Sequence, residues 1–156
     1  MKKGTPLPPY RRSSWVILHL ANPFLRFLVG RLGLGGGSSG FRILKVKGWK
    51  SGVEYSTPIR LLELNGNQYL VSLQGKTFWV RNMRKQGGGQ LLFGGRTTNF
   101  TSVELPDEDK LLVLRAYMKR WWSVSKPLTT VSSPDAPDEE FIKAEPLHPV
   151  FILKHN

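Results

Sequence analysis

The dipeptide Asn65-Gly66 constrains this chain more than any other feature. Leu61, Leu62 and Leu64 precede it, and Tyr69, Leu70 and Val71 follow. Apolar runs joined by two residues that both tolerate positive φ make a two-residue type I′ hairpin, whose twist matches that of the strands it connects. The incoming strand is expected over residues 55–64. A second hairpin is expected from 90–93 into 97–105, about Gly94-Gly95.

Once two hairpins are placed, the rest of the chain must supply their partners. From Phe41, the apolar residues Ile43, Leu44 and Val46 alternate loosely with Lys45 and Lys47, which reads as a strand ending in a turn through Gly48 to Gly52. Pro149 to Lys154 carries Val150, Phe151, Ile152 and Leu153 and reads as a closing strand. Thr77 is placed to cap a short helix running to Gln86, which Gly87 to Gly89 would stop. Asp107, Glu108 and Asp109 suit a helix N-terminus, and Lys119 and Arg120 suit a C-terminus. The spacing therefore predicts one helix over 107–122, with Leu111, Leu114, Met118 and Trp121 on its core face. A Pro- and Ser-rich loop is expected over 126–137, then a helical turn near 139–143. Five or six strands with helices inserted between hairpins describe an α+β small barrel.

Ahead of the barrel, 1–12 reads as a basic flexible arm and 13–34 as an amphipathic helix, capped by Ser13 or Ser14 and interrupted at Pro23. That helix is expected either to pack on the barrel or to lie on a membrane surface. Residues 33–40 read as a linker, and 41–156 as the barrel domain. His19, Asn22, Pro23 and Arg26 break the apolar stretch well short of the ~20 residues a spanning helix needs. A cytoplasmic protein is expected, with contact at the inner membrane surface as the alternative for the helix.

With 156 residues the chain has enough length for one core. It has no cysteine, which excludes disulfides, thiolate metal sites and cysteine nucleophiles. His19, His148 and His155 are scattered without metal-ligand spacing. Asp135, Asp138, Glu139 and Glu140 read as a solvated loop, and no serine sits in a nucleophile elbow. Hydrolase chemistry has no support. The net charge of +12 is uneven, because residues 1–103 hold 16 Lys or Arg against Glu54 and Glu63 alone. Such a field draws in anions, whether nucleic acid, acidic lipid or a phosphorylated coenzyme.

Two segments have the composition of an anion site. Gly48-Trp49-Lys50-Ser51-Gly52 can turn its amides, the Lys50 ammonium and the Ser51 hydroxyl toward a phosphate. In Ser72-Leu73-Gln74-Gly75-Lys76-Thr77, a strand ends in a polar loop that opens onto a helix, where N–H groups point outward unpaired. Trp79 and Asn82 follow on neighbouring helical turns, so an indole and a carboxamide can meet one planar ring.

These segments resemble the F420-dependent nitroreductase family, split-barrel proteins that use an 8-hydroxy-5-deazaflavin coenzyme or sometimes a flavin. The likeness covers 41–122 and rests on Gly48, Lys50, Ser51, Gly52, Thr57, Pro58, Ser72, Trp79 and Asn82 in order and spacing, with the closing strand extending it. It implies a split β-barrel of the FMN-binding kind, with about six mostly antiparallel strands and helices around them. It also implies F420, or alternatively FMN, as cofactor, held by Lys50, Ser51, Gly52, Thr57, Pro58, Arg60, Ser72, Gln74, Gly75, Thr77, Trp79 and Asn82. Trp49 stands where the family's turn carries arginine. Tyr117, Trp121 and Trp122 occupy the region where nitroreductase-type members place acceptor-side tyrosines, so they are the candidates for an acceptor pocket. The implied activity is hydride transfer to a quinone-like or other electron-poor acceptor, a small hydrophobic partner. A non-catalytic cofactor-binding barrel remains the alternative, and a nucleic-acid-binding barrel a more distant one.

Overall fold

Six strands close into an antiparallel barrel. They are β1 (Phe41–Lys47), β2 (Glu54–Leu64), β3 (Asn67–Val71), β4 (Gly88–Phe93), β5 (Arg96–Glu104) and β6 (Val150–His155), in the spatial order β1-β2-β3-β6-β5-β4. The structure is a computed structural model and describes residues 40–155. The arm expected at 1–12, the helix at 13–34 and nearly all of the linker lie outside those residues.

Both expected hairpins form. Asn65 and Gly66 have φ of 52° and 79°, and Leu64 faces Asn67 across the turn. Gly94 and Gly95 have φ of 56° and 77° between the paired Phe93 and Arg96. Ile43 pairs with Leu92, so the first strand closes on the fourth and leaves no free edge.

Side-chain alternation along the strands gives the barrel two apolar faces. Leu61, Leu70 and Phe151 point into an inner cluster with Leu44, Leu91 and Phe100, plugged by Val80 and Met83 of helix α1 (Phe78–Gln86). Their sequence neighbours Leu62, Val71 and Val150 point outward against α2 (Leu111–Arg120) and α4 (Asp138–Ala144), meeting Leu114, Met118 and Phe141. Burial of apolar surface, at about 25 cal/mol per Å², stabilises both clusters.

The expected helix over 107–122 is divided. Asp107–Asp109 forms a 3-10 turn, α2 follows, and Trp121, at φ −131° and ψ 48°, breaks it before the short α3 (Trp122–Ser125). The first interruption has a charge at its centre: the buried Lys110 donates from Nζ to Asp107 Oδ1 at 2.7 Å and to the Glu145 carbonyl at 2.9 Å. At the second, the Trp121 indole lies edge-on to Tyr117 and against Gly40, where an added Cβ would come within 2.5 Å of Trp121 Cζ2. α4 takes the place of the expected turn at 139–143. The acids at its start are engaged, Asp138 with Arg115 at 2.7 Å and Glu140 with the Ser132 amide at 2.8 Å. Among the described residues, no helix is long and apolar enough to cross a membrane.

Candidate functional site

Strand β2 runs past the start of α1, and the space between them and α2 is a cleft of about 240 Å³. β2 contributes Pro58, Ile59 and Arg60, and β3 ends there in Val71 and Ser72. The loop to α1 adds Leu73, Gln74 and Thr77, and α1 adds Trp79. Phe41, Tyr117, Val124 and Leu128 complete the far wall. The cleft is therefore apolar on its α2 side and polar where the loop meets the helix.

The loop is held by its own hydrogen bonds. Ser72 Oγ donates to the Gly75 carbonyl at 2.7 Å, Thr77 N donates to the same carbonyl at 2.8 Å, and Ser72 N donates to Pro149 O at 2.9 Å. Ser72 thus shapes the site while its hydroxyl proton is committed to the loop. Gly75 makes the bend with φ of 77°. Thr77 occupies the N-cap position of α1, yet its side chain makes no capping bond, and its buried Oγ1 has no partner within the fold. A buried hydroxyl without a partner is uncommon and costly. Thr77 itself lines the cleft, beside a helix start whose first amides have no intrahelical acceptors.

Asn82 faces away from the cleft. It is buried, and its Oδ1 accepts from Trp49 N at 3.1 Å, tying the turn between β1 and β2 to the flank of α1. That turn is closed by Gly48 N to Val53 O and by Gly52 N to Gly48 O, each 2.8 Å. Ser51 Oγ accepts from Val53 N at 3.2 Å, which leaves its O–H free to act as a donor. Gly52, at φ 68°, permits the reversal. Lys50 projects from the turn with its ammonium 4.8 Å from the Trp49 ring. Lys50 and Asn82 thus both belong to the junction of this turn with α1, outside the cleft lining.

Of the residues marked from sequence, Pro58, Arg60, Ser72, Gln74, Thr77, Trp79 and Tyr117 gather at the cleft, and Gly75 shapes its loop. Lys50, Ser51 and Gly52 form the adjoining turn, Thr57 pairs with Leu44 in the barrel wall, and Asn82 is a tether. Trp121 lies behind Tyr117, their rings 4.8 Å apart, and Trp122 packs on the outer core. Sequence reasoning missed Phe41, Ile59, Val71, Val124 and Leu128, whereas Leu73 lies in the marked loop from Ser72 to Thr77. Val124 and Leu128 reach the cleft because the chain turns at Trp121, and no residue pattern announced that break.

The charges favour an anion at this end. No Asp or Glu occurs between Glu63 and Glu104, a stretch holding Lys76, Arg81, Lys85 and Arg96, along with Arg84, which Glu104 pairs at 2.6 Å. The Arg60 guanidinium lies 4.2 Å over the Phe41 ring and 5.4 Å from that of Trp121. Burial pushes the Tyr117 phenol above its ordinary pKa, with Arg60 pulling the other way, so Tyr117 Oη keeps its proton at neutral pH.

No protein-family model and no curated sequence matches the chain. By structure it is similar to an F420-H2 dependent reductase, with a TM-score of 0.50 and 18% identity over 74% of this chain and 94% of that one. It is also similar to a candidate pyridoxamine 5'-phosphate oxidase from Listeria innocua, with a TM-score of 0.51 and 13% identity over 88% and 94% of the two chains. A third is a candidate 5-nitroimidazole antibiotic resistance protein from Bacteroides thetaiotaomicron, with a TM-score of 0.52 and 12% identity over 75% and 73%. At such identities the likeness establishes the fold, a split β-barrel.

Proposed function

We propose that the cleft binds coenzyme F420 and that the chain is an F420-dependent oxidoreductase delivering hydride to a quinone-like or other electron-poor acceptor. One observation carries this reading: Thr77, whose buried hydroxyl the fold leaves without a partner, lines one cleft with Trp79, Arg60 and a protonated Tyr117. A planar ring bearing carbonyl oxygens suits those groups, and a phosphate suits the neighbouring Lys50–Ser51 turn. The naming of one structural neighbour as an F420-H2 dependent reductase agrees.

When bound, the reduced deazaflavin supplies the hydride, so the protein needs no nucleophile or base of its own. Thr77 Oγ1 and the first amides of α1 would fix the ring's polar edge, and Trp79 would lie against it. The apolar wall of Ile59, Val71, Leu73, Val124 and Leu128 would keep water out and admit a small hydrophobic acceptor. Tyr117 Oη, held protonated, can hydrogen-bond an acceptor oxygen as charge develops there.

Oxidation of reduced F420, followed by the return of its absorbance, should become saturably dependent on added menadione. Saturable F420 binding with no turnover across quinones and nitroaromatics would instead make the chain a carrier.

A further inference from the structure

On the rim outside the cleft, four large apolar side chains stand together in solvent. Trp49 is 47% exposed, Val53 54%, Tyr55 42% and Phe78 50%. Tyr55 and Phe78 stack edge to face at 4.5 Å, and the Tyr55 ring lies over Gly48, where a Cβ would meet it at 2.8 Å. Phe78, Asn82 and Lys85 recur at helical spacing along one face of α1, the face that Asn82 ties to Trp49. The patch is therefore continuous across the turn and the helix.

Its border is basic. Lys50 and Lys85 flank the Trp49 ring at 4.8 and 5.5 Å, and Lys47 is exposed at the end of β1. The one acidic residue in 41–60, Glu54, is paired with Lys45 at 3.3 Å. Exposed aromatic and aliphatic side chains ringed by lysines suit a surface that is anionic outside and apolar just beneath.

We propose that this rim docks on an anionic lipid bilayer, with Trp49, Val53, Tyr55 and Phe78 entering the headgroup region and Lys47 and Lys85 meeting lipid phosphates. A second copy of the chain fits less well, because a two-fold interface sets each patch against itself and brings lysine to lysine. Single-stranded nucleic acid also fits less well, since Tyr55 and Phe78 use their rings on each other instead of offering parallel stacking platforms. The proposal stands apart from the coenzyme reading and is tested without coenzyme.

The test is co-sedimentation of the full-length protein with vesicles of phosphatidylcholine alone or mixed with phosphatidylglycerol. The parent should bind the mixed vesicles and not the neutral ones. Lys47→Gln with Lys85→Gln should weaken that binding about 25-fold, at roughly fivefold for each lysine near an anionic surface. Val53→Ser with Phe78→Ser should weaken it about tenfold or more. The lysine pair should melt with the parent, since both side chains are exposed, and the Val53→Ser, Phe78→Ser pair should stay folded with at most a small drop from the lost Tyr55–Phe78 contact. Equal binding to both vesicle types, no binding, or full binding by both variants would overturn the proposal. So would a parent dimer in sedimentation velocity that the Val53→Ser, Phe78→Ser variant dissociates.

Discussion

The barrel interior and the rim around α1 are built on opposite principles. Inside, Leu44, Leu61, Leu70, Val80 and Phe151 are almost wholly buried and entirely apolar, and their contacts account for why the strands close. Along the rim, the Thr77 hydroxyl and the Asn82 Nδ2 are buried without partners, and lysines stand in solvent beside aromatic rings. The first arrangement stabilises the fold and offers a ligand nothing. The second leaves polar capacity unused by the fold, which is where a ligand's own groups can be accommodated at least cost. Substitutions should separate along the same line.

Phe151→Ala tests the interior most severely. Removing a fully buried ring that packs 5.8 Å from Trp79 should lower the unfolding free energy by about 3–5 kcal/mol, read by chemical denaturation. A loss below about 1 kcal/mol would mean the barrel collapses around the gap more easily than its tight interior suggests.

His148 breaks the division, being a buried polar group on the side covered by the helices. Its Nε2 meets Thr129 Oγ1 at 3.0 Å, and its Nδ1 has no hydrogen bond of good geometry. Burial pushes its pKa down from 6.5 to about 4; the Leu73 and Leu147 backbones oppose the shift and Lys110 adds to it. The unfolded chain therefore takes up this proton first. Stability should fall as pH drops below 6.5 and level off near 4, by roughly 3 kcal/mol at most. His148→Gln should flatten that part of the denaturation-against-pH curve, and an unchanged slope would assign it to other groups.

On the rim the expected effects move from folding to binding. Thr77→Val removes a hydroxyl that the fold does not use, so stability should hold or rise slightly while F420 affinity falls about tenfold. A destabilised Thr77→Val protein would show that the hydroxyl already serves the fold. Lys50→Ala should have the smallest effect, a weakening of F420 binding of about fivefold that fades at high salt, with the thermal midpoint unchanged. Weakening that persists undiminished at high salt would argue against a charge contact there.

Much of the fold was legible because its turns are chemical. Asn65-Gly66, Gly94-Gly95 and Gly87 each hold positive φ where the sequence placed a reversal or a helix stop. The division of the helix over 107–122 was not legible, since it depends on Lys110 reaching a carbonyl contributed by Glu145, 35 residues away. The site divides in the same manner. The loop from Ser72 to Thr77 announced itself through polar residues and glycine between a strand and a helix. Asn82 did not reveal that it would turn from the cleft to hold Trp49, because helical spacing fixes a face and not what the rest of the chain brings to it. Val124 and Leu128 carry no signal of their own and become cleft walls only because Trp121 redirects the chain.

Calorimetric titration of the purified chain with F420, repeated on Thr77→Val and Lys50→Ala, addresses the binding site most directly. The parent should saturate at one coenzyme per chain, and both variants should bind more weakly while melting at the parental temperature. Heat that never saturates, or one affinity shared by all three proteins, would contradict a coenzyme site at the start of α1.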